Sequence, residues 1–515
     1  MIKIDKTYST IERFPHIFDN PKTLSKDRDP FTVTTSTGFL PLRLPPTCLP
    51  DVFQAVNSLL SRLPVVKDDG SPGLLATYEL GPAVLAELPD LTDEVDKLVT
   101  EDGKLDLFII TAVFRDYSFI CSAYLLEPCW ERWVKDPGSG YYGLGRETLP
   151  RCIARPLYRC AEILNIPPFM SYAAAYALYN YTVDEPFRSL EYSNLKLIRA
   201  FERGLDPKSS EAGFILTHVD MVKETGHLVS GAVRILNSLE EGKGPSAREE
   251  VNDAFREILK AMERIETSME DMWKNSKPAD YLSFRVFIFG ITSQAMFPNG
   301  VIYDGVLDSK PLNFRGESGA NDSIIPLLDH LLQIPMPATP LTKILHEFRA
   351  YRPLPHREFL AHVASKAEEL RVQEFSVQDQ ETVLLYLKAL DHVRSFRWRH
   401  WLLTREYIIK RTPYPTATGG SPIITWLPNQ LFAVLDLMIS IHDKYVAPYT
   451  SKDVPHIVGA NGSNQETPTS DPKKVEKLET FNYYRAQAED MMTLVRDQKD
   501  KLDKEVARWC KERGV

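Results

Sequence analysis

Little in the sequence marks the common specialised classes. Its 515 residues hold six cysteines (Cys48, Cys121, Cys129, Cys152, Cys160, Cys510), and none forms a CxxC pair. Neither a disulfide scaffold nor a thiolate zinc site is supported, and a reducing, cytoplasmic setting fits best. No uninterrupted apolar run approaches the ~18 residues of a membrane span; the richest are as short as Val286-Phe-Ile-Phe289. The opening MIKIDKTYSTIERF is polar and carries no apolar signal core, so secretion is not expected. A basic surplus is missing as well. With 61 Lys and Arg against 70 Asp and Glu, the net charge is −9, without the cationic footprint that nucleic-acid phosphates require. GxSxG, GxxxxGKS and HExxH do not occur in usable form, and no strand pattern precedes Gly140-Tyr-Tyr-Gly-Leu-Gly145.

What is present suits a large, folded, mostly helical protein. Hydrophobic residues make up 43% and charged residues 25%, enough for a sizeable core. Residues 1–148 read as a smaller, mixed N-terminal domain whose first 75 residues are Pro-rich and extended. Apolar residues recur at helical period over 104–127, 149–164, 168–181, 190–204, 211–240, 247–275, 279–295, 322–333, 341–351, 356–371, 378–411 and 426–446. Pro167-Pro168 and Gly242-Lys-Gly-Pro245-Ser punctuate them as helix starts. The segments from 149 to 449 therefore predict one large helical domain, all-α in class. Residues 450–472 are polar and breaker-rich, a flexible linker. Residues 473–515 place Val475, Leu478, Phe481, Met491, Leu494, Val495, Leu502, Val506 and Trp509 on one stripe. This predicts an amphipathic helix that packs on its own chain or on a partner.

The chemistry centres on histidine. In Arg394-Ser-Phe-Arg-Trp-Arg-His400-Trp-Leu-Leu-Thr-Arg-Glu-Tyr407, at ~100° per residue, His400 shares a face with Val393, Phe396, Leu403, Thr404 and Tyr407. Two readings stay open: a hydrogen-bonded core histidine, or an axial ligand to haem iron. The arginines at 394, 397, 399 and 405 read either as partners of haem propionates or as a solvated helix face.

That segment and the loop Thr416-Ala-Thr-Gly-Gly-Ser421 resemble the indoleamine 2,3-dioxygenase family, especially its long fungal-type members. So do Leu149-Pro-Arg-Cys-Ile-Ala-Arg-Pro-Leu, Ile166-Pro-Pro-Phe-Met-Ser-Tyr172, Phe284-Arg-Val-Phe-Ile-Phe-Gly290, Phe314-Arg-Gly-Glu-Ser-Gly-Ala-Asn-Asp-Ser323 and Tyr351-Arg-Pro-Leu-Pro-His-Arg-Glu-Phe-Leu360. The blocks follow the family's order from roughly 35 to 446. The resemblance implies a haem b enzyme that uses O2 as co-substrate to open the indole C2–C3 bond of L-tryptophan, giving N-formylkynurenine. It implies a small indole substrate; the acidic balance and the lack of a membrane span argue against a nucleic-acid or membrane partner, and a monomer is favoured without the sequence fixing the oligomeric state. It makes His400 the proximal iron ligand and Arg285 the holder of the substrate carboxylate. Tyr172 becomes a wall of the indole pocket, and Ser318 and Gly319 the small residues beside haem. Thr418, Gly419 and Gly420 become a flexible closing loop and Ser230 the distal serine, with Asp329 and Arg397 an acid–arginine pair on the proximal side, Arg397 next to the cofactor.

One departure stands out. Where the family has two aromatics before Leu-Val-Ser, this chain has Gly226-His227-Leu-Val-Ser230. On one continuous helix Gly226 and His227 flank Ser230, at about 40° and 60°. All three can then border one pocket, with His227 either a distal histidine over the iron or turned to solvent by a shifted register. His218, nine residues earlier, would lie on the opposite side. A haem oxygenase for a modified indole, or a haem protein without turnover, remains the alternative.

Overall fold

The computed structural model describes residues 24, 28–242, 244–336, 340–414, 416–448 and 472–513. Among them, nine helices of thirteen residues or more form the frame, α1 to α9 in chain order. They are α1 (Leu107–Lys135), α2 (Arg151–Leu164), α3 (Ser210–Val222), α4 (Thr225–Glu241), α5 (Pro245–Glu270), α6 (Leu354–Leu370), α7 (Gln380–Thr404), α8 (Ile423–Ile441) and α9 (Pro472–Arg513). Strands are few: β1 (Thr148–Leu149), β2 (Tyr181–Val183), β3 (Leu195–Leu197), β4 (Val301–Tyr303) and β5 (Pro311–Leu312). β4 pairs parallel with β1 and antiparallel with β5, while β2 and β3 form a separate antiparallel pair.

α1 starts at Asp106, whose carboxylate accepts the Phe108 and Ile109 amides, satisfying donors that a helix start leaves open. By length and composition α1 is apolar enough to cross a membrane, but 94% of its richest stretch is buried inside this protein. Its surroundings explain that: α1 packs against α2, the Tyr172–Tyr176 segment and the turn Val286–Ile288. The division expected at residue 148 thus falls between two helices that share one apolar core. α5 is the second hub, with α3, α4 and α7 against it, and α7 also carries α8 and α9.

The N-terminal segment is extended in part only, because Gln54–Arg62 form a helix. Phe31 and Phe39 close on the His356 ring, at 5.4 and 4.9 Å between centroids. The expected helix over 190–204 is a short turn leading into β3. There the Asn194 side chain takes the Glu185 amide and reaches the Glu185 and Ser189 carbonyls, competing with helical bonding. Over 168–181 only one π-helical turn forms, Tyr172–Tyr176. The expected continuous helix 211–240 breaks at Lys223–Glu224. The Thr225 hydroxyl explains the break: it donates to the Val222 carbonyl and accepts the Phe39 amide, so the N-terminal segment wedges in between α3 and α4.

α9 docks on its own chain, burying Ala488, Met492, Val495 and Leu502 against α7 and α8. Leu494, placed on its stripe by periodicity, is half exposed. Side chains before Arg485 and the linker 450–471 lie outside the described residues. All six cysteines are free thiols.

Candidate active site

The proximal helix candidate is α7. Asp379 caps it by accepting the Glu381 and Thr382 amides, and Val383, Leu384, Leu385, Leu387, Leu390 and Val393 bury its first turns. With those positions fixed, the face carrying His400 is fixed too. Leu403 and Tyr407, on that face, join an apolar cluster with Met272, Tyr281, Leu282 and Phe284. His400 itself keeps open surface, yet its pKa is pushed down to about 4, first by burial and then by the His218 imidazole. The ring thus sits among packed neighbours yet keeps accessible surface. Neither ring nitrogen bonds to a described residue, so the group is a neutral, unpartnered imidazole.

The arginines around it are neither free nor simply solvated. Arg397 spans both oxygens of Asp329, at 2.9 and 2.7 Å, and donates to the Gln430 carbonyl at 2.9 Å. Arg394 donates to Asp391, Arg399 reaches Glu266 and Glu270, and Arg405 binds Glu505. The Asp329–Arg397 pair therefore ties α7 to its neighbours, and its guanidinium is taken up by protein groups.

Facing His400 is His218 on α3, not His227 or Ser230. His218 Nδ1 lies 2.8 Å from the Phe214 carbonyl. A carbonyl only accepts, so Nδ1 carries the proton. Burial lowers the His218 pKa, leaving a neutral ring whose Nε2 holds a lone pair. Phe214 and Tyr172 border it, with centroids at 4.8 and 5.7 Å. Tyr172 is buried on its π-helical turn, held by Ser171, whose hydroxyl accepts the Ala174 amide. Its own hydroxyl donates to Asp322 at 3.1 Å. Burial lifts the Asp322 pKa to about 6.

The expected trio at 226–230 sits elsewhere. His227 is 57% exposed with Nδ1 3.2 Å from Glu257, and Ser230 donates to the same carboxylate. Arg234 binds Glu257 and Glu250, completing a surface network between α4 and α5. A Cβ on Gly226 would come within 2.5 Å of the Thr35 carbonyl, so this glycine makes room for the N-terminal segment. The break between α3 and α4 is the physical reason, since a face computed over one continuous helix does not survive it.

Arg285 ends the short helix Tyr281–Arg285 and has no exposed surface. Its Nη2 donates to the Thr416 carbonyl at 2.8 Å, its plane lies 4.7 Å from the Phe289 ring, and Nε and Nη1 have no partner. Leaving charged donors unpaired in the interior is costly, so this edge of the guanidinium is able to receive an anion. The Thr416–Ser421 loop closes over it. Gly290 and Gln294 donate to the Thr418 carbonyl, Arg315 to that of Gly419, and Thr418 Oγ1 to that of Glu317. Gly419 could carry no side chain, because a Cβ would sit 2.2 Å from the Phe348 ring. Ser318 accepts the Ala320 amide, and beside it Gly319 borders open space, with nothing within 4 Å of where its Cβ would be.

Two polar groups of this site escaped the sequence reading. Helical geometry over one continuous 211–240 segment turns His218 away from the pocket, and Glu317 carries no local signal inside its family block. Glu317 is 3% exposed and burial pushes its pKa up to about 8.

A helical frame that presents a neutral, unpartnered imidazole, with open room at Gly319 and a buried guanidinium under a loop, fits a haem-dependent oxidoreductase. The sequence model of the indoleamine 2,3-dioxygenase family matches residues 27–421, and the chain belongs to that family. Its members are dioxygenases that depend on haem and O2. Indoleamine 2,3-dioxygenase of Saccharomyces cerevisiae is 27% identical over 353 residues, 63% of this chain and 73% of the relative. Indoleamine 2,3-dioxygenase 1 of Mus musculus is 28% identical over 365 residues, 70% and 83%. A protein of Haliotis madaka named myoglobin is 24% identical over 412 residues, 77% and 95%.

Proposed function

We propose that the protein binds haem b through His400 and uses O2 to open the indole C2–C3 bond of L-tryptophan, or of a related indole amino acid, giving N-formylkynurenine or its counterpart. The observation that carries the substrate half is Arg285: a buried guanidinium with two unpaired edges suits a carboxylate, which it grips bidentately. The cofactor half rests on His400, neutral and unpartnered. Bound haem would supply the O2 site and the redox chemistry, which the side chains lack.

The chain's own residues position and exclude. Arg285 fixes the carboxylate end, and the Thr416–Ser421 loop covers it and keeps water out. Tyr172 and Phe214 offer ring faces and edges to an indole. His218 takes the place expected for Ser230 and His227. Its Nε2 lone pair accepts a hydrogen bond, and the indole N–H is the donor such a substrate brings.

The relative named myoglobin raises a second reading, haem binding without turnover. Arg285 favours the first, because O2 needs no buried guanidinium. The test is to incubate reduced, haem-loaded protein with tryptophan and O2 and identify the product by mass spectrometry. A gain of two oxygen atoms is expected. Recovery of every indole amino acid unchanged, with O2 bound reversibly, would establish the second reading.

A further inference from the structure

We propose that Glu317 is the receptor for the α-ammonium group of the substrate, so that Arg285 and Glu317 together recognise a zwitterion. This rests on the amino-acid reading above and adds the second half of its recognition. Glu317 is 97% removed from solvent by the fold, at 3% exposure, and its carboxyl has no hydrogen-bond or ion-pair partner among the described residues. Buried carboxyls are ordinarily paired or hydrogen-bonded, and Glu211 in the same core shows the usual case, accepting the Phe201 and Glu202 amides. Glu317 has nothing of the kind.

Its main chain is tied to the loop that Arg285 also holds. Arg285 Nη2 holds the Thr416 carbonyl, and Thr418 Oγ1 donates to the Glu317 carbonyl at 2.6 Å. Two residues of chain span at most ~7 Å, so the Arg285 guanidinium and the Glu317 main chain are anchored to one short stretch of the same loop. The Tyr281 phenol feels both charges. Yet the two do not pair with each other: Arg285 Nε and Nη1 are unpartnered. A guanidinium and a carboxyl tied to the same loop, neither paired within the described residues, match a ligand that brings an anionic and a cationic group together.

The groups facing Glu317 give it no other source of compensation. Tyr172 and Tyr176 from the π-helical turn and Tyr281 are phenols pushed further up by burial. The neighbouring Arg315 is committed to Glu347 and the Gly419 carbonyl. With a pKa of about 8, Glu317 is mostly protonated at pH 7. Receiving an ammonium requires it to ionise, so binding a zwitterion releases a proton from the carboxyl. Affinity then rises with pH between 6 and 8, by up to about tenfold per unit.

The experiment is calorimetric binding to the haem-loaded ferric protein, in buffers of different ionisation enthalpy, comparing L-tryptophan with indole-3-propionate. Wild type is expected to prefer tryptophan by about 10- to 100-fold and to release close to one proton with tryptophan but none with indole-3-propionate. Glu317→Gln should abolish both the preference and the release while leaving indole-3-propionate affinity unchanged. An unchanged preference in Glu317→Gln overturns the proposal. So does equal proton release for both ligands in wild type, a measurement that needs no variant to fold. Arg285→Ala separates the two readings. If it weakens both ligands while Glu317→Gln discriminates neither, only the ammonium assignment fails. If Arg285→Ala weakens neither, the amino-acid reading itself has failed.

Discussion

On the His400 side, Arg394, Arg397, Arg399 and Arg405 all end on carboxylates of the same chain, three of them bridging to another helix. Around His218 and the Thr416–Ser421 loop, Arg285 keeps two unpartnered nitrogens, Glu317 an unpartnered carboxyl and His218 a free Nε2. Both sides are polar and both are enclosed. The difference is where the complementary charge comes from. The proximal side is completed by the fold and so works as a rigid mount, whereas the distal side is left incomplete for a ligand to finish. Unsatisfied buried polar groups, more than charge itself, separate the recognising residues from the bracing ones.

The largest effect that tests this contrast is at His400, whose ring has no partner among the described residues. His400→Ala is expected to abolish the Soret band of a five-coordinate ferrous complex, or haem retention altogether. An unchanged spectrum would move the axial ligand elsewhere. Next comes Arg285→Ala. Losing a bidentate, charge-assisted contact costs about 2–4 kcal/mol, roughly 30- to 1,000-fold in kcat/KM. The loss should fall on tryptophan and spare a decarboxylated indole; equal losses would make Arg285 a structural residue.

A smaller effect sharpens the choice of distal residue. His218→Ala should lower kcat/KM for tryptophan by about tenfold, the worth of one hydrogen bond in a dry site. It should lower turnover of an N1-methylated indole much less, since that substrate has no N–H to give. His227→Ala should change stability by ~0.5 kcal/mol or less and leave kcat/KM alone, because His227 meets only Glu257 at the surface. The reverse pattern would restore the reading in which α4 faces the haem.

The frame was legible because it depends on periodicity. The pattern around His400 set its face before any coordinates, and Leu403 and Tyr407 pack as that pattern requires. Arg285, Tyr172 and the Gly419 loop came from family blocks, whose chemistry is local to the chain. What stayed hidden depends on contacts distant in sequence. The break between α3 and α4 is made by Phe39, 186 residues from Thr225, and no window over 211–240 contains it. Glu317 reads as an ordinary acid until its surroundings are known, since only the fold shows that no cation was placed beside it.

The smallest prediction probes the bracing side alone. α9 lies beyond the family match at 27–421, and its Glu505 accepts the Trp401 indole N–H at 3.0 Å and Arg405 Nη1 at 2.8 Å, both just C-terminal to His400. If the proximal mount is completed by the fold, removing one brace should cost stability without touching recognition. Glu505→Gln keeps an acceptor for Trp401 and loses only the ion pair, which is a quarter exposed and worth ~1 kcal/mol or less. Glu505→Ala also leaves the buried Trp401 N–H unpaired, at about 1–3 kcal/mol. Denaturant midpoints should therefore fall in the order wild type, Gln, Ala, with the slope unchanged. Tryptophan KM should stay constant throughout, because Glu505 reaches the substrate through no residue of the distal side. A KM that rises with the loss of stability would show that the mount and the recognition site are one mechanical unit.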